Sequence, residues 1–304
     1  MIRGRAGAST HVGQVRMGNE DAYVVLDGLY VVADGMGGHS AGEVASAIAV
    51  KTLAEIHTST QPGLNTPERV AEAISTANTA IFLESLDDSE KAGMGTTLTA
   101  LVVTDPSAHQ VVIANIGDSR TYRWRDGQFQ QVTVDHSHVQ TLVERGAISA
   151  AEARTHYQRN IVLRALGIDS SIDIDLFPIE VRDGDRFILC SDGLVDEADD
   201  SEIENEVRLR SEPQQLADSL VNLANAHGGR DNITVVVVDF SVVDDPSAAT
   251  RNGVETETPP TGVATATESS SSASSTSRRT KNILALAGAV TAVVAMIVAL
   301  VLAL

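Results

Sequence analysis

The stretch Ala22-Tyr23-Val24-Val25-Leu26-Asp27-Gly28-Leu29-Tyr30-Val31-Val32-Ala33-Asp34-Gly35-Met36-Gly37-Gly38 sets the fold reading. Two apolar runs, Ala22–Leu26 and Leu29–Ala33, flank Asp27-Gly28, a dipeptide that accepts the positive φ of a tight hairpin turn. The second run leads directly into a carboxylate set among glycines. An antiparallel strand pair that delivers a rigidly held Asp is the unit from which the rest is read.

The same pattern recurs along the chain. Thr96–Val103, Val111–Asn115, Thr121–Trp124 and Gln128–Val134 read as further strands, with Arg125-Asp126-Gly127 as another turn. Arg186–Cys190 and Ile233–Val238 are near-continuous apolar runs, as expected of strands buried on both faces. Helical patterns cover Ala41–Ile56, Pro67–Leu86 and Gln214–Ala226. Hairpins interrupted by helices predict an α+β fold, with packed antiparallel sheets and helices outside.

The chain has 304 residues and divides by composition into three parts. Residues 1–243 form the folded domain. Residues 244–282 read as a disordered linker with eight Ser and eight Thr, including Ser269–Ser272 and Pro259-Pro260. A flexible chain of that length has an end-to-end distance of roughly 35 Å. Residues 283–304 contain no charged side chain, and Thr291 is their one clearly polar residue. At about 1.5 Å per residue they reach about 33 Å, enough for a transmembrane helix. Arg278, Arg279 and Lys281 precede this span, so the positive-inside rule places the domain on the cytoplasmic face of a membrane, with lipid as a partner.

Lys plus Arg total 22 and Asp plus Glu total 41, a formal charge of −19, of which residues 1–243 carry −18. This excess excludes general nucleic-acid binding, which rewards clustered cations. The single cysteine, Cys190, excludes an internal disulfide.

The carboxylates are not scattered. Asp34, Asp118 in Gly117-Asp118-Ser119-Arg120, Asp192 in Ser191-Asp192-Gly193, and Asp231 in Gly228-Gly229-Arg230-Asp231-Asn232 each abut an apolar strand. Glu20-Asp21 stands just before the first hairpin. Any one Asp-Gly pair is a turn signal. Four at strand ends form a set of hard oxygen ligands suited to divalent cations, and paired cations are a phosphatase device. Arg16, four residues before Glu20, supplies a guanidinium that can grip phosphate through paired hydrogen bonds.

At these residues the chain resembles the metal-dependent serine/threonine protein phosphatases of type 2C, especially bacterial membrane-tethered members. The resemblance spans about residues 6–241. It rests on Arg16-Met17-Gly18-Asn19-Glu20-Asp21, Asp34-Gly35-Met36-Gly37-Gly38, Gly95-Thr96-Thr97, Gly117-Asp118-Ser119-Arg120, Ser191-Asp192-Gly193 and Asp231-Asn232. It implies a four-layer αββα sandwich.

The resemblance also implies roles. Asp34 bridges two metals and the Gly35 carbonyl binds one of them. Asp192 and Asp231 complete the first metal's ligands. Glu20 and Asp21 hold the second, largely through water. Asp118 with Asp192 forms a third, weaker site, Arg16 clamps phosphate, and Asn232 supports the cluster. The implied cofactors are two Mn²⁺ or Mg²⁺ ions, with a possible third. The implied reaction is attack of a metal-bridging hydroxide on phosphoserine or phosphothreonine, without a phosphoenzyme. Arg16, Asp34 and Asp192 are the catalytic candidates. Phosphorylated proteins, including serine/threonine kinases and their substrates, are the implied partners. Many eukaryotic relatives carry His where this chain has Met36, so the source of the leaving-group proton stays open. The family's mobile flap corresponds to Asp135–Leu166, where His136, His138 and His156 read as flap surface or substrate contacts.

Two other chemistries fail on residue identity. A Cys-x5-Arg phosphatase would need Arg at position 196, which is Asp196. The lysines are Lys51, Lys91 and Lys281, and none sits in a phosphate-binding Gly-x4-Gly-Lys loop. The surviving rival is a membrane-tethered pseudophosphatase that binds phosphoproteins without turnover.

Overall fold

The computed structural model describes residues 1–37, 41–59 and 63–243. The predicted linker and membrane span lie outside the described residues. Among the described residues no helix is long and apolar enough to cross a membrane.

Two antiparallel sheets are stacked face to face. One has the order β1-β11-β10-β7-β8, formed by Ile2–His11 (β1), Ile233–Val242 (β11), Arg186–Cys190 (β10), Arg120–Arg125 (β7) and Gln128–Gln131 (β8). The other has the order β2-β3-β5-β6-β9, formed by Asp21–Leu26 (β2), Leu29–Met36 (β3), Leu98–Asp105 (β5), Gln110–Ile116 (β6) and Asp175–Glu180 (β9). The short strand Gly95–Thr96 (β4) pairs with β3 at Gly35 and Met36.

Period-2 alternation explains how β3 is apolar from Leu29 to Ala33. Leu29, Val31 and Ala33 face helices Ala41–Ser59 (α1) and Pro67–Asp87 (α2), in a core shared with Ala45, Leu53, Ile74 and Ile81. Tyr30 and Val32 face the other sheet and join Phe187, Leu189, Val236 and Phe240. β11 does the same in mirror fashion. Val235 and Val237 pack with Ile203, Leu216 and Leu220, which lie on helices Asp200–Leu209 (α6) and Pro213–Ala226 (α7). Val236 and Val238 fill the space between the sheets. Three apolar layers between four structural layers make the expected αββα sandwich.

β1, β9 and α6 are among the elements that lie outside the strands and helices the sequence pattern predicts. β1 is rich in Gly, Ala and Arg, and only Ile2 and Gly7 along it are buried, so it offers no apolar run. It is a strand because β11 supplies ten residues of register, from Ile2 opposite Val242 to His11 opposite Ile233. β9 has no fully buried position and α6 only Ile203 and Val207, so neither offers an apolar run. α6 is instead fixed at its start by a capping box between Asp199 and Glu202.

The flap region folds as two short helices, His138–Glu144 (α3) and Ala150–Arg154 (α4), closed at its base by bridges Ser137–Val162 and Thr96–Leu166.

Candidate active site

The four Asp residues meet because two strands of each sheet end at the same edge of the sandwich. Asp34 lies within the end of β3, and Asp118 follows β6. Asp192 follows β10, and Asp231 precedes β11. Arg16, Glu20, Asp34, Gly35, Asp118, Asp192 and Asp231 line one cavity of about 440 Å³. The flap contributes Asn160, Ile161 and Val162 to its rim.

Each motif has a structural reason for its residues. Asp34 is pinned by Gly95-Thr96-Thr97: its N–H donates to Thr97 Oγ1 at 3.0 Å, and its carbonyl accepts from Thr97 N at 2.9 Å and Thr96 Oγ1 at 2.9 Å. Thr97 Oγ1 also shares a 2.7 Å hydrogen bond with Ser119 Oγ, which ties the Asp118 turn to the Asp34 strand. Gly35 has no space for a side chain, since a Cβ there would stand 2.1 Å from the Gly42 carbonyl oxygen. Asn232 stitches the N-terminal loop in place. Its Oδ1 accepts from Glu20 N at 2.8 Å, and its Nδ2 donates to the Val12 and Gly18 carbonyls at 2.9 Å each.

Asp21 stands opposite Asp34 in the β2–β3 register but does not line the cavity. Ser191 Oγ donates to its Oδ2 at 2.8 Å, and Ser191 Oγ accepts from Thr234 N at 3.0 Å. Asp21 therefore links the two sheets behind Asp34. Arg16 Nη2 donates to Asp231 Oδ2 at 2.6 Å, at a half-exposed position on the rim.

The electrostatics are those of crowded anions. Asp34 is pushed well above the usual carboxylate range, first by loss of hydration and then by the charges of Asp21, Asp192 and Asp118. Asp192 is raised likewise, by burial and by Asp118, Asp196 and Asp231. Burial and Asp135 bring Asp118 up to about 7. Burial brings Asp21 up to about 6, although hydrogen bonds from Thr234 and Ser191 pull the other way. Among the described residues no three acidic, His or Cys side chains close on a single point to ligand distance.

The donor set fits hard divalent cations. The site offers carboxylate oxygens and a backbone carbonyl at Gly35, and among the described residues no thiol or imidazole lines the cavity. Asp21 Oδ1 and Asp192 Oδ1 are cut off from solvent without a hydrogen-bond partner. Cations would satisfy these atoms and remove the repulsion that raises the pKa values.

Residues beyond the sequence-predicted set also belong here. Asp196 lines a neighbouring cavity of about 430 Å³ with Asp118 and Asp192, and pairs with Arg159 of the flap at 3.3 Å. Its one sequence signal is its place four residues after Asp192. The glycine between them hides the short helix Asp192–Val195 (α5), on whose C-cap Asp196 sits.

His136 corrects the reading of the flap histidines as surface or substrate contacts. It is buried. Its N–H donates to the Gly117 carbonyl at 2.9 Å, and its Nδ1 accepts from Gly117 N at 3.2 Å. Its Nε2 lies 3.1 Å from Asp175. It braces the turn that carries Asp118.

An acidic oxygen-ligand centre with an arginine at its mouth, at the edge of a two-sheet sandwich, defines a metal-dependent phosphoester-hydrolysing class. Residues 14–231 match the family described as Protein phosphatase 2C. The serine/threonine phosphatase stp of Listeria welshimeri is 38% identical over 242 residues, covering 77% of this chain and 95% of that protein. The crystal structure of the Mycobacterium tuberculosis serine/threonine phosphatase PstP/Ppp matches with a TM-score of 0.74 and 39% identity. That match covers 79% of this chain and 100% of that one. The catalytic domain of PstP in complex with two manganese ions matches at TM-score 0.73 and 38% identity, over 80% of this chain and 100% of that one. The chain belongs to the protein phosphatase 2C family.

Proposed function

We infer that this protein is a metal-dependent protein phosphatase that hydrolyses phosphoserine and phosphothreonine, and that it acts at the cytoplasmic face of a membrane. The observation that carries the chemistry is the convergence of Arg16, Glu20, Asp34, Asp118, Asp192 and Asp231 on one cavity. The membrane placement rests on sequence: the uncharged run 283–304 and the cationic residues just before it. Phosphorylated serine/threonine kinases and their substrates are the partners that this placement suggests.

Asp34, Asp192 and Asp231 would hold one Mn²⁺ or Mg²⁺, and Asp34, the Gly35 carbonyl and Glu20 a second. Asp21 would support that second ion from behind, and Asp118 with Asp192 a third. Bound divalent cations supply a nucleophile from water near neutral pH and offset charge on phosphoryl oxygens. Arg16 sits on the rim where a phosphate would enter, and its guanidinium can hold two phosphoryl oxygens while staying near Asp231. Asn160, Ile161 and Val162 form the side wall that meets the substrate chain. Cys190 takes no part: it is buried, and loss of hydration brings its thiol up to about 12. The complete carboxylate set argues against a binding-only pseudophosphatase.

The test is hydrolysis of a phosphothreonine peptide by residues 1–243 with Mn²⁺, with EDTA, and by Asp192→Ala with Mn²⁺. Turnover confined to the first condition is expected. Equal rates in all three would refute the mechanism. Removal of residues 283–304 is expected to release the protein from membranes, and unchanged pelleting would refute the anchor.

A further inference from the structure

One ion pair outside the cavity, with its carboxylate buried and its guanidinium exposed, joins the segments that carry Asp192 and Asp231. Glu197 lies just past the end of α5, five residues after Asp192, and its side chain is only 2% exposed. Three hydrogen bonds reach it from Arg230, the residue immediately before Asp231. Arg230 N donates to Oε1 at 3.0 Å, Nε to Oε1 at 2.8 Å, and Nη2 to Oε2 at 3.1 Å. His227 Nδ1 lies 3.0 Å from the Glu197 carbonyl oxygen, which adds a backbone tie to the same loop.

The far side of the loop is also held. Gln14 N donates to the Gly229 carbonyl at 2.6 Å, and Gln14 Nε2 donates to Asn225 Oδ1 at 3.1 Å. The loop is therefore gripped by Glu197 on one flank and by the Arg16 segment on the other. At the N-terminal end of α5 the contact is steric: a Cβ on Gly193 would stand 2.0 Å from the Asn232 carbonyl oxygen. The Arg230 guanidinium holds the Glu197 carboxyl below its usual range, so the pair stays ionised at neutral pH.

We propose that Glu197 and Arg230 are positioning residues for the first metal site: their ion pair sets the separation between Asp192 and Asp231. The proposal rests on the reading of those two carboxylates as ligands of one cation. α5 and the 227–231 loop are not neighbours in sequence, and the β10–β11 ladder stops at Cys190 opposite Val235, short of both ligands. One step beyond that ladder Ser191 N donates to the Thr234 carbonyl at 3.1 Å and Thr234 N to Ser191 Oγ at 3.0 Å, and Glu197 supplies the side-chain bonds from the α5 segment to the 227–231 loop itself. Without it, Asp231 would be placed by its loop and the Arg16 segment, and cation binding would have to order that loop. Partners that orient metal ligands typically change metal affinity by about 10–100-fold when removed.

The experiment is calorimetric titration of Mn²⁺ into the full chain and into Glu197→Ala, Arg230→Ala and Arg230→Lys, with thermal unfolding in EDTA alongside. The wild type is expected to bind Mn²⁺. Glu197→Ala and Arg230→Ala should each weaken the tightest Mn²⁺ site about tenfold or more. Arg230→Lys, which keeps the charge but loses the fork, should fall between. Arg230→Ala leaves the 2%-exposed Glu197 carboxylate without its guanidinium, so the metal-free melting temperature should fall too, and the titration is run well below it so that the affinity reads positioning alone. A purely structural role would lower the melting temperature and leave the Mn²⁺ affinity of the folded protein at the wild-type value. Wild-type Mn²⁺ affinity in Arg230→Ala overturns the proposal, even if Glu197→Ala does not fold. Failure of the wild type to bind Mn²⁺ would instead overturn the functional reading.

Discussion

Crowded carboxylates make a sharp prediction about the metal-free domain. Asp118 titrates at about 7 in the folded chain against an ordinary 3.8. Between those values the folded state keeps a proton that the unfolded state has released. The native state then binds more protons, so stability falls as pH rises. The slope is about 1.4 kcal/mol per pH unit for one such group. Raising the pH from about 5 to 8 therefore removes about 3 kcal/mol through Asp118. Asp21, raised to about 6, removes about 1 kcal/mol more over the same range. Asp34 and Asp192 are raised by the same crowding and act in the same direction.

The assay is urea unfolding of residues 1–243 in EDTA at several pH values, for wild type and Asp118→Asn. With a slope of roughly 2–3 kcal/mol/M for a domain of this size, the Asp118 share corresponds to about 1 M in midpoint. The wild-type midpoint should fall from pH 5 to 8, and Asp118→Asn should flatten the fall by about that amount. Saturating Mn²⁺ should reverse the slope, because cations bind the ionised carboxylates and displace protons. Parallel pH profiles for wild type and Asp118→Asn would refute the crowding argument.

Three other outcomes are expected. Arg16→Ala should raise the KM for a phosphopeptide about tenfold, the value of one charge-assisted contact, with a smaller change in kcat; an unchanged KM at limiting substrate would remove its clamp role. Gly193→Ala should destabilise the domain by about 3 kcal/mol, because its Cβ meets backbone at Asn232 rather than a movable side chain; an unfolding midpoint equal to wild type would contradict the close packing of α5 on the Asp231 loop. Iodoacetamide should neither alkylate Cys190 in the native protein nor lower activity, given a buried thiol at about 12, and mass spectrometry of the treated protein reads this directly.

Local chemistry makes much of the site legible in the sequence. Asp34-Gly35, Asp118, Asp192-Gly193 and Asp231-Asn232 are readable because strand ends beside glycine have a strong local signature. Arg16 and Glu20 are legible through their spacing and the family pattern. β3, β10 and β11 are legible because strands buried on both faces carry near-continuous apolar runs, here Leu29–Ala33, Phe187–Cys190 and Val235–Val238. β1 is not, because its identity lies in ten backbone pairings with a strand more than 220 residues away.

The features hidden from the sequence are pairwise and long-range. His136 reads as a flap histidine until its ring and backbone are seen clasping Gly117. Asp21 reads as a companion of Glu20, yet alternation along β2 and its register turn it toward Ser191 behind Asp34. Glu197 carries no motif, and Arg230 reads only as part of the turn before Asp231. The sequence by itself determined which residues carry the oxygen ligands and which strands form the core, since residue type and periodicity are local properties. Only the tertiary structure decided which carboxylates face the cavity and which ion pair spaces them. Those facts depend on the stacking of two sheets, and no window of sequence contains both partners.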